Sequence, residues 1–318
     1  MKMEPFLKKI SVDVPGTLVF MGEHAVLHEQ NALACAIDKK LFLSLKPRND
    51  TTVTICSSLG NYMSDIKRLS PHPSFSFMIT SIRHLNPPCG FDIQINSALD
   101  HTMGLGSSAA VTIAMTAALL ALKSGKEPDK KDILKEAHAI VVATQGTGSG
   151  LDLAAALYGG LIAYRMQDYS VEPLPGLLPI HLVYSGYKTK TPEVIQKINQ
   201  MKRQYAYMET LHKDIYSLIG KLSQIAIQAI CLGHLEEVAN AMNMQQGLLE
   251  TLGVSDKTLS EIIWQLREQP EVMAAKISGS GLGDCILALG KVNTESLSYQ
   301  SININMISEG MKLVLVSS

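Results

Sequence analysis

Aromatic side chains are scarce in this chain of 318 residues: one Trp, six Phe and ten Tyr. A core must therefore be built from Leu, Ile, Val, Ala and the 15 Met. An excess of either charge is also missing. Twenty-eight Lys and Arg against 29 Asp and Glu leave a formal net charge of −1. That balance argues against nucleic acid as the main partner, because a phosphate backbone needs a basic excess on at least one face. Cysteines are few and odd in number. Cys35, Cys56, Cys89, Cys231 and Cys285 show no C-x-x-C and no zinc spacing, which reads as reduced thiols in a cytoplasmic protein. The first ten residues, MKMEPFLKKI, contain no apolar core of a secretory signal. The most apolar stretch, Ala109 to Leu122, falls short of the roughly 18 residues that span a bilayer, so it reads as a buried helix and no membrane partner is expected.

What is present is ample apolar material, 46% of residues against 18% charged, so disorder is excluded as the dominant state. At roughly 150 residues per domain the length suggests two domains or one large α/β unit. Short apolar runs at Ile10 to Val14, Thr17 to Met21, Leu41 to Leu45, Val53 to Cys56 and Phe91 to Ile95 read as strands. The pattern then turns helical at Ser107 to Lys123, Asp132 to Thr144 and Leu151 to Leu157. Ile180 to Tyr184 is a strand. Thr191-Pro192-Glu193 starts a helix, with Thr as cap and Pro in the first turn, and the helical pattern runs on to Gly233. Leu235 to Leu252 and Lys257 to Arg267 are further helices, and strands follow at Cys285 to Leu289 and Leu313 to Val316. The chain reads as α+β, divided into 1–170 and 171–318, with no internal repeat.

Three glycine-rich segments carry the chemistry. Met103-Gly104-Leu105-Gly106-Ser107-Ser108 leads into a helix, where bare N–H groups and the helix dipole attract an anion. No strand runs directly into these glycines, as a dinucleotide fingerprint requires, and no Gly-Lys-Ser/Thr follows. On its own the segment fits a phosphate loop or a tight Ser-capped turn. Gln145-Gly146-Thr147-Gly148-Ser149-Gly150-Leu151-Asp152 sets an Asp at a helix start, as a general base or as an N-cap. Lys276-Ile277-Ser278-Gly279-Ser280-Gly281-Leu282-Gly283-Asp284-Cys285 precedes an apolar strand, as a ligand-hugging backbone or a plain turn.

Taken together in this order, the segments resemble the GHMP kinase superfamily over nearly the whole chain. Val14 to Leu27 is similar to its first motif, Gly104 to Ala110 to its phosphate-binding second and Gly279 to Gly283 to its third. Gly22-Glu23-His24-Ala25-Val26 and Asn243 to Leu249 are similar to the mevalonate kinase family. Gly148 to Asp152 and Ser280 to Cys285 resemble phosphomevalonate kinases more. The resemblance implies a GHMP kinase fold, with an N-terminal half like ribosomal protein S5 domain 2 and a ferredoxin-like C-terminal half. It implies ATP and Mg²⁺ and a small-molecule alcohol as acceptor, with a homodimer left open. Gly104, Leu105, Gly106, Ser107 and Ser108 would bind the nucleotide, and Ser108 the metal. Asp152 would be the catalytic carboxylate, while Glu23, His24, Gly279, Ser280 and Gly281 would meet the acceptor.

Two positions depart from that pattern. Thr17 stands where mevalonate kinases usually carry Lys, and Val141 where they place a metal-binding Glu. Glu136, the nearest upstream carboxylate, lies on another helix face. Lys188 and Lys190, near a helix start, offer a cation for a substrate anion, or are a solvated basic turn. The segments assigned to the acceptor contain no Lys or Arg. A dianionic phosphoester calls for several such charges, so mevalonate is expected ahead of phosphomevalonate. A sugar-1-kinase, or a ligand-binding protein that keeps this fold without turnover, is also compatible with the motifs.

Overall fold

The computed structural model describes residues 7–317; the first six, which belong to the stretch searched for a leader, lie outside the described residues. The strands are β1 (Leu7–Met21), β2 (Ala32–Pro47), β3 (Thr52–Ser57), β4 (Gly60–Asp65), β5 (Phe91–Ser97), β6 (Leu161–Arg165), β7 (Ser170–Leu174), β8 (Ile180–Tyr184), β9 (Val272–Ser278), β10 (Cys285–Gly290), β11 (Gln300–Ile302) and β12 (Lys312–Ser317). The helices are α1 (Ser76–Leu85), α2 (Ser107–Ser124), α3 (Lys130–Gln145), α4 (Leu151–Tyr158), α5 (Thr191–Gln204), α6 (Met208–Leu232), α7 (Leu235–Thr251) and α8 (Lys257–Arg267).

Two sheets result. The first runs β12-β1-β2-β5-β3-β4, with β6 and β7 attached to β2, and only β3 and β5 pair in parallel. The second is antiparallel in the order β11-β8-β10-β9, which is the ferredoxin-like arrangement. β1 shows why the sequence folds this way. Ile10, Val12 and Val14 alternate inward, as a half-buried strand requires. Beyond Gly16 nearly every residue is buried, because α2 and α4 cover this stretch. The two strands expected here are one strand, with a register shift at Pro15/Gly16 that absorbs the missing proline N–H.

α2 is apolar on all sides and packs between β1, β2, α1, α3 and α4. At 18 residues it reaches bilayer-spanning length, beyond the apolar stretch counted in the sequence, and it is largely buried. The helix expected from Thr191 to Leu232 is two helices. Tyr205 adopts an extended conformation between α5 and α6, and no Gly or Pro marks the break. Thr191 is not the cap; Lys190 holds that position, without a side-chain hydrogen bond.

The last strand crosses the division at 170/171. β12 pairs with β1, edge to edge, and the segment before it lies along α4. There Ile307 N donates to Ala36 O (3.0 Å), Gly160 N to Ile307 O (3.0 Å) and Met311 N to Ala156 O (3.0 Å). This return needs glycine at 159, where φ is +77° and a Cβ would lie 2.2 Å from Gly310 N. Gly146 has φ +81° but open space around it. Gly146→Ala should therefore cost about 1 kcal/mol, the left-handed strain alone. Gly159→Ala should cost at least about 2 kcal/mol more. Urea unfolding of both variants checks this, and equal losses would show that the returning segment does not press on α4.

Candidate active site

Gly104 and Gly106 take left-handed conformations (φ +65° and +72°), and Gly106 caps the start of α2 with no side-chain hydrogen bond. A Cβ at Gly106 would lie 2.1 Å from Thr17 Oγ1, so only glycine lets the loop close on β1. Thr17 N donates to Leu105 O (3.1 Å) and fixes that approach. Leu105 is buried, Ser107 is half-buried and Ser108 is exposed at the open helix end. The uncapped first turn of an apolar helix is suited to an anion.

Asp152 lies in the first turn of α4, whose cap is Gly150. It is therefore not the N-cap that the sequence alone allowed. Instead its Oδ1 accepts from Thr17 Oγ1 (2.9 Å). Burial pushes its pKa up, while the Thr17 hydrogen bond and the Lys188 charge pull it down. The loop before it is pinned, since His138 Nε2 lies 2.8 Å from Gly148 O and Tyr164 Oη donates to Ser149 O (2.9 Å). Val141 faces this loop, its Cγ1 2.6 Å from where a Gly148 Cβ would be. Position 141 thus brings a methyl group to the site, not a carboxylate. Glu136 points elsewhere and pairs with His84 on α1 (2.6 Å).

The third segment closes over the first. Gly104 is pressed so near Asp284 that a Cβ would lie 3.0 Å from its Oδ1. Cys285 Sγ donates to Met103 O (3.2 Å). Asp284 is 7% exposed and pairs with Lys188 (3.4 Å). Burial raises its pKa, the Lys188 charge lowers it, and the nearby Asp152 charge raises it again. Lys188 also bears electrostatically on Asp100, so it stands among three carboxylates. The turn that carries it is held by Asp284 N donating to Tyr187 O (2.9 Å) and Thr189 Oγ1 donating to Leu282 O (2.5 Å).

Glu23 and His24 sit at the end of β1. Glu23 is buried and bonded to Lys276 of β9, and Gln245 of α7 donates to its other oxygen. Burial pushes Glu23 up and Lys276 down, and the opposite charge of each partner resists that shift. His24, with φ +61°, places Nε2 2.9 Å from Ser280 O. A carbonyl only accepts, so Nε2 carries the proton and Nδ1 is left as an acceptor. Burial lowers its pKa to about 4, so it is neutral at pH 7. Such a ring serves a hydroxyl and does not neutralise a carboxylate. Ser280 Oγ is buried without a partner, and Gly281 packs on Val254, a Cβ there falling 2.3 Å from Val254 O.

Basic groups also approach His24 from outside the segments that the sequence assigned to the acceptor. Lys202 of α5 and His28 both act on His24 electrostatically. They flank Tyr216, with His28 stacked at 4.0 Å and Lys202 Nζ 5.1 Å from the ring centre. His212 joins edge-on at 6.1 Å. A count along the acceptor segments misses them because they come from other parts of the chain. Burial lowers the pKa of His28 and of His212, which leaves Lys202 as the standing charge. Sequence reasoning also assigned no role to Lys276, Gln245 or Asp284. Lys276 had a signal, a lone charge inside an otherwise apolar strand.

Two family models match the chain: "GHMP kinases N terminal domain" over residues 75–160 and "GHMP kinases C terminal" over 226–297. A mevalonate kinase of Methanothermobacter thermautotrophicus is 29% identical over 287 residues, covering 88% of this chain and 90% of its own. Among solved structures, the Lin0012 protein of Listeria innocua superposes with a TM-score of 0.83 at 21% identity, over 96% of this chain and 99% of its own. Streptococcus pneumoniae phosphomevalonate kinase, in complex with phosphomevalonate and AMPPNP, gives a TM-score of 0.74 at 20% identity over 90% and 93%. The fold alone therefore does not choose the acceptor.

The buried Glu23–Lys276 pair has a testable consequence. Lys276→Met should destabilise by about 3–5 kcal/mol, because it strands a buried carboxylate. Adding Glu23→Gln should restore a large part of that loss. Urea unfolding of the single and double variants decides it, and additive losses would show that the two groups do not depend on each other.

Proposed function

The chain belongs to the GHMP kinases, phosphotransferases acting on an alcohol, and from that premise we propose that it transfers the γ-phosphoryl group of ATP to the hydroxyl of mevalonate. The observation that carries the choice of acceptor is the state of the lysines. Lys276 is paired with Glu23 and Lys188 with Asp284, which leaves Lys202, among the described residues, as the free cation on the acceptor side. One cation suits a monocarboxylate, whereas a phosphomonoester of charge about −1.5 to −2 calls for several. The relationship to mevalonate kinases supports the same choice.

In this reading Gly104 to Ser108 cradle the ATP phosphates with backbone N–H groups. Asp152, steered by Thr17, accepts the proton of the acceptor hydroxyl. The hydroxyl oxygen then forms a bond to the γ-phosphorus while the bond to the β–γ bridging oxygen breaks, and ADP leaves. Lys188 offsets the charge on the phosphoryl oxygens. His24 Nδ1 and Ser280 Oγ orient the acceptor, and Lys202 faces its carboxylate. Mg²⁺ would be held by the exposed Ser108 hydroxyl and by the Asp284 carboxylate oxygen, which has no hydrogen-bond partner and faces Lys188 at 3.4 Å. When bound it supplies charge neutralisation on the phosphates.

Release of ADP with mevalonate, phosphomevalonate and galactose as acceptors tests the reading. The largest kcat/KM is expected with mevalonate, and a preference for phosphomevalonate or galactose would overturn it. Asp152→Asn should lower kcat at least about 10²-fold with AMPPNP binding retained. Near-normal turnover would remove Asp152 from the chemistry.

A further inference from the structure

We propose that Asp284 supplies the carboxylate ligand for the divalent cation that accompanies ATP, replacing the acidic side chain that position 141 lacks. The inference rests on the ATP-binding role of Gly104 to Ser108.

The carboxylates near the glycine segments sort themselves by what they already hold. Glu23 is locked to Lys276 and Gln245. Glu136 is turned away to His84. Asp152 has Oδ1 on Thr17 and, in the proposed reaction, takes the acceptor's proton. Asp100 is engaged by Thr102, through its N–H (2.8 Å) and its hydroxyl (2.6 Å). Asp284 remains, and its carboxyl group lies against the phosphate loop, Cγ and Oδ1 both 3.0 Å from a Cβ built on Gly104.

That oxygen is buried and has no hydrogen-bond partner. Its one neighbour of opposite charge among the described residues is Lys188 Nζ at 3.4 Å, a long ion pair. A buried carboxylate oxygen left unbonded is costly, and such a group invites a cation. The backbone beneath it is strained in a way that favours a function over a simple turn. Leu282 and Asp284, neither a glycine, have φ of +54° and +61°. Asp284 N donating to Tyr187 O and Ser185 N donating to Asp284 O (3.0 Å) hold that conformation in place.

The chemistry agrees. No group of three or more His, Cys, Asp or Glu is arranged for a metal among the described residues. A protein-built cage is therefore not on offer. Mg²⁺ in nucleotide sites asks for less: one or two carboxylates, with phosphate oxygens and waters completing the octahedron. Asp284, beside Gly104, would supply that carboxylate, and the exposed Ser108 hydroxyl at the start of α2 is a second oxygen of the same loop. A cation on Asp284 also displaces Lys188 from its pair and leaves it free for the phosphoryl group.

Calorimetric titration of AMPPNP, with and without Mn²⁺, compares the full-length protein with Asp284→Asn. In the unaltered protein Mn²⁺ should tighten AMPPNP binding at least about tenfold. In Asp284→Asn that enhancement should fall to within about threefold of none, while metal-free AMPPNP binds as well or better because Lys188 is released. An unchanged enhancement would show that Asp284 only holds Lys188, and would overturn the proposal. Failure of the unaltered protein to bind AMPPNP at all would instead overturn the ATP site. Should Asp284→Asn not fold, crystals of the unaltered protein with AMPPNP and Mn²⁺ give the answer from anomalous density. A Mn²⁺ peak bonded to an Asp284 oxygen sustains the proposal. A peak with Asp284 still on Lys188 contradicts it.

Discussion

The hydrogen bond from Thr17 to Asp152 is where the two ends of the N-terminal half are tied together, across 135 residues of sequence. Thr17 is fully buried in β1. Its N–H holds Leu105, its hydroxyl holds Asp152, and Gly106 has no side chain because Thr17 occupies the space. The same strand continues to the third segment, where Ser278 Oγ donates to Val19 O (2.9 Å). One strand thus sets the spacing of all three glycine segments. The packing of α2 and α4 against it makes that spacing rigid.

Charge is arranged around this frame with little to spare. Burial works against the ionised forms of Asp152, Asp284, Glu23 and Lys276 alike. Each is held by a specific partner: a hydroxyl, Lys188, or the opposite member of a buried pair. The Glu23–Lys276 pair anchors the turn from which His24 reaches Ser280. Lys188 is the most exposed charge of the arrangement. It sits on a short turn, is shared by several carboxylates and has an exposed route to solvent. A cation in that position adjusts to an arriving phosphate more readily than one locked inside β1, where Thr17 now stands.

Much of this was legible in the sequence, and what was not has a physical cause. α8 and β8 follow from apolar periodicity and clear end signals, and their observed bounds are those expected. The glycine segments were visible because left-handed and close-packed backbone leaves glycine no substitute. α1, β4, β6, β7, β9 and β11 were missed: β4 is mostly exposed and polar, β7 contains Pro173, β9 carries Lys276 inside its apolar run, and β11 is only three residues long. The α5–α6 break has no local marker and is made by the packing of the two helices on each other. At the candidate site, Asp152 was singled out from its own loop. Asp284 was given no role, because its neighbour Gly104 lies far earlier in the chain. Lys202 escaped for the same reason: charge counted along segments does not see what another helix delivers.

The most direct measurement is the pH profile of kcat/KM for mevalonate in Thr17→Val. Valine keeps the shape of threonine and removes the hydroxyl that stabilises the ionised carboxylate. In the proposed mechanism the working form of Asp152 is the anion, so losing that stabilisation raises its pKa, and activity is lost at a higher pH on acidification. The acid limb should move up by about one pH unit, the scale of one hydrogen bond to a charged group. Above that limb, turnover should stay within a few-fold of the unaltered protein. An acid limb that stays in place in Thr17→Val, with activity otherwise intact, would contradict the account, because Asp152 would then be either unsupported by Thr17 or not the group that takes the proton.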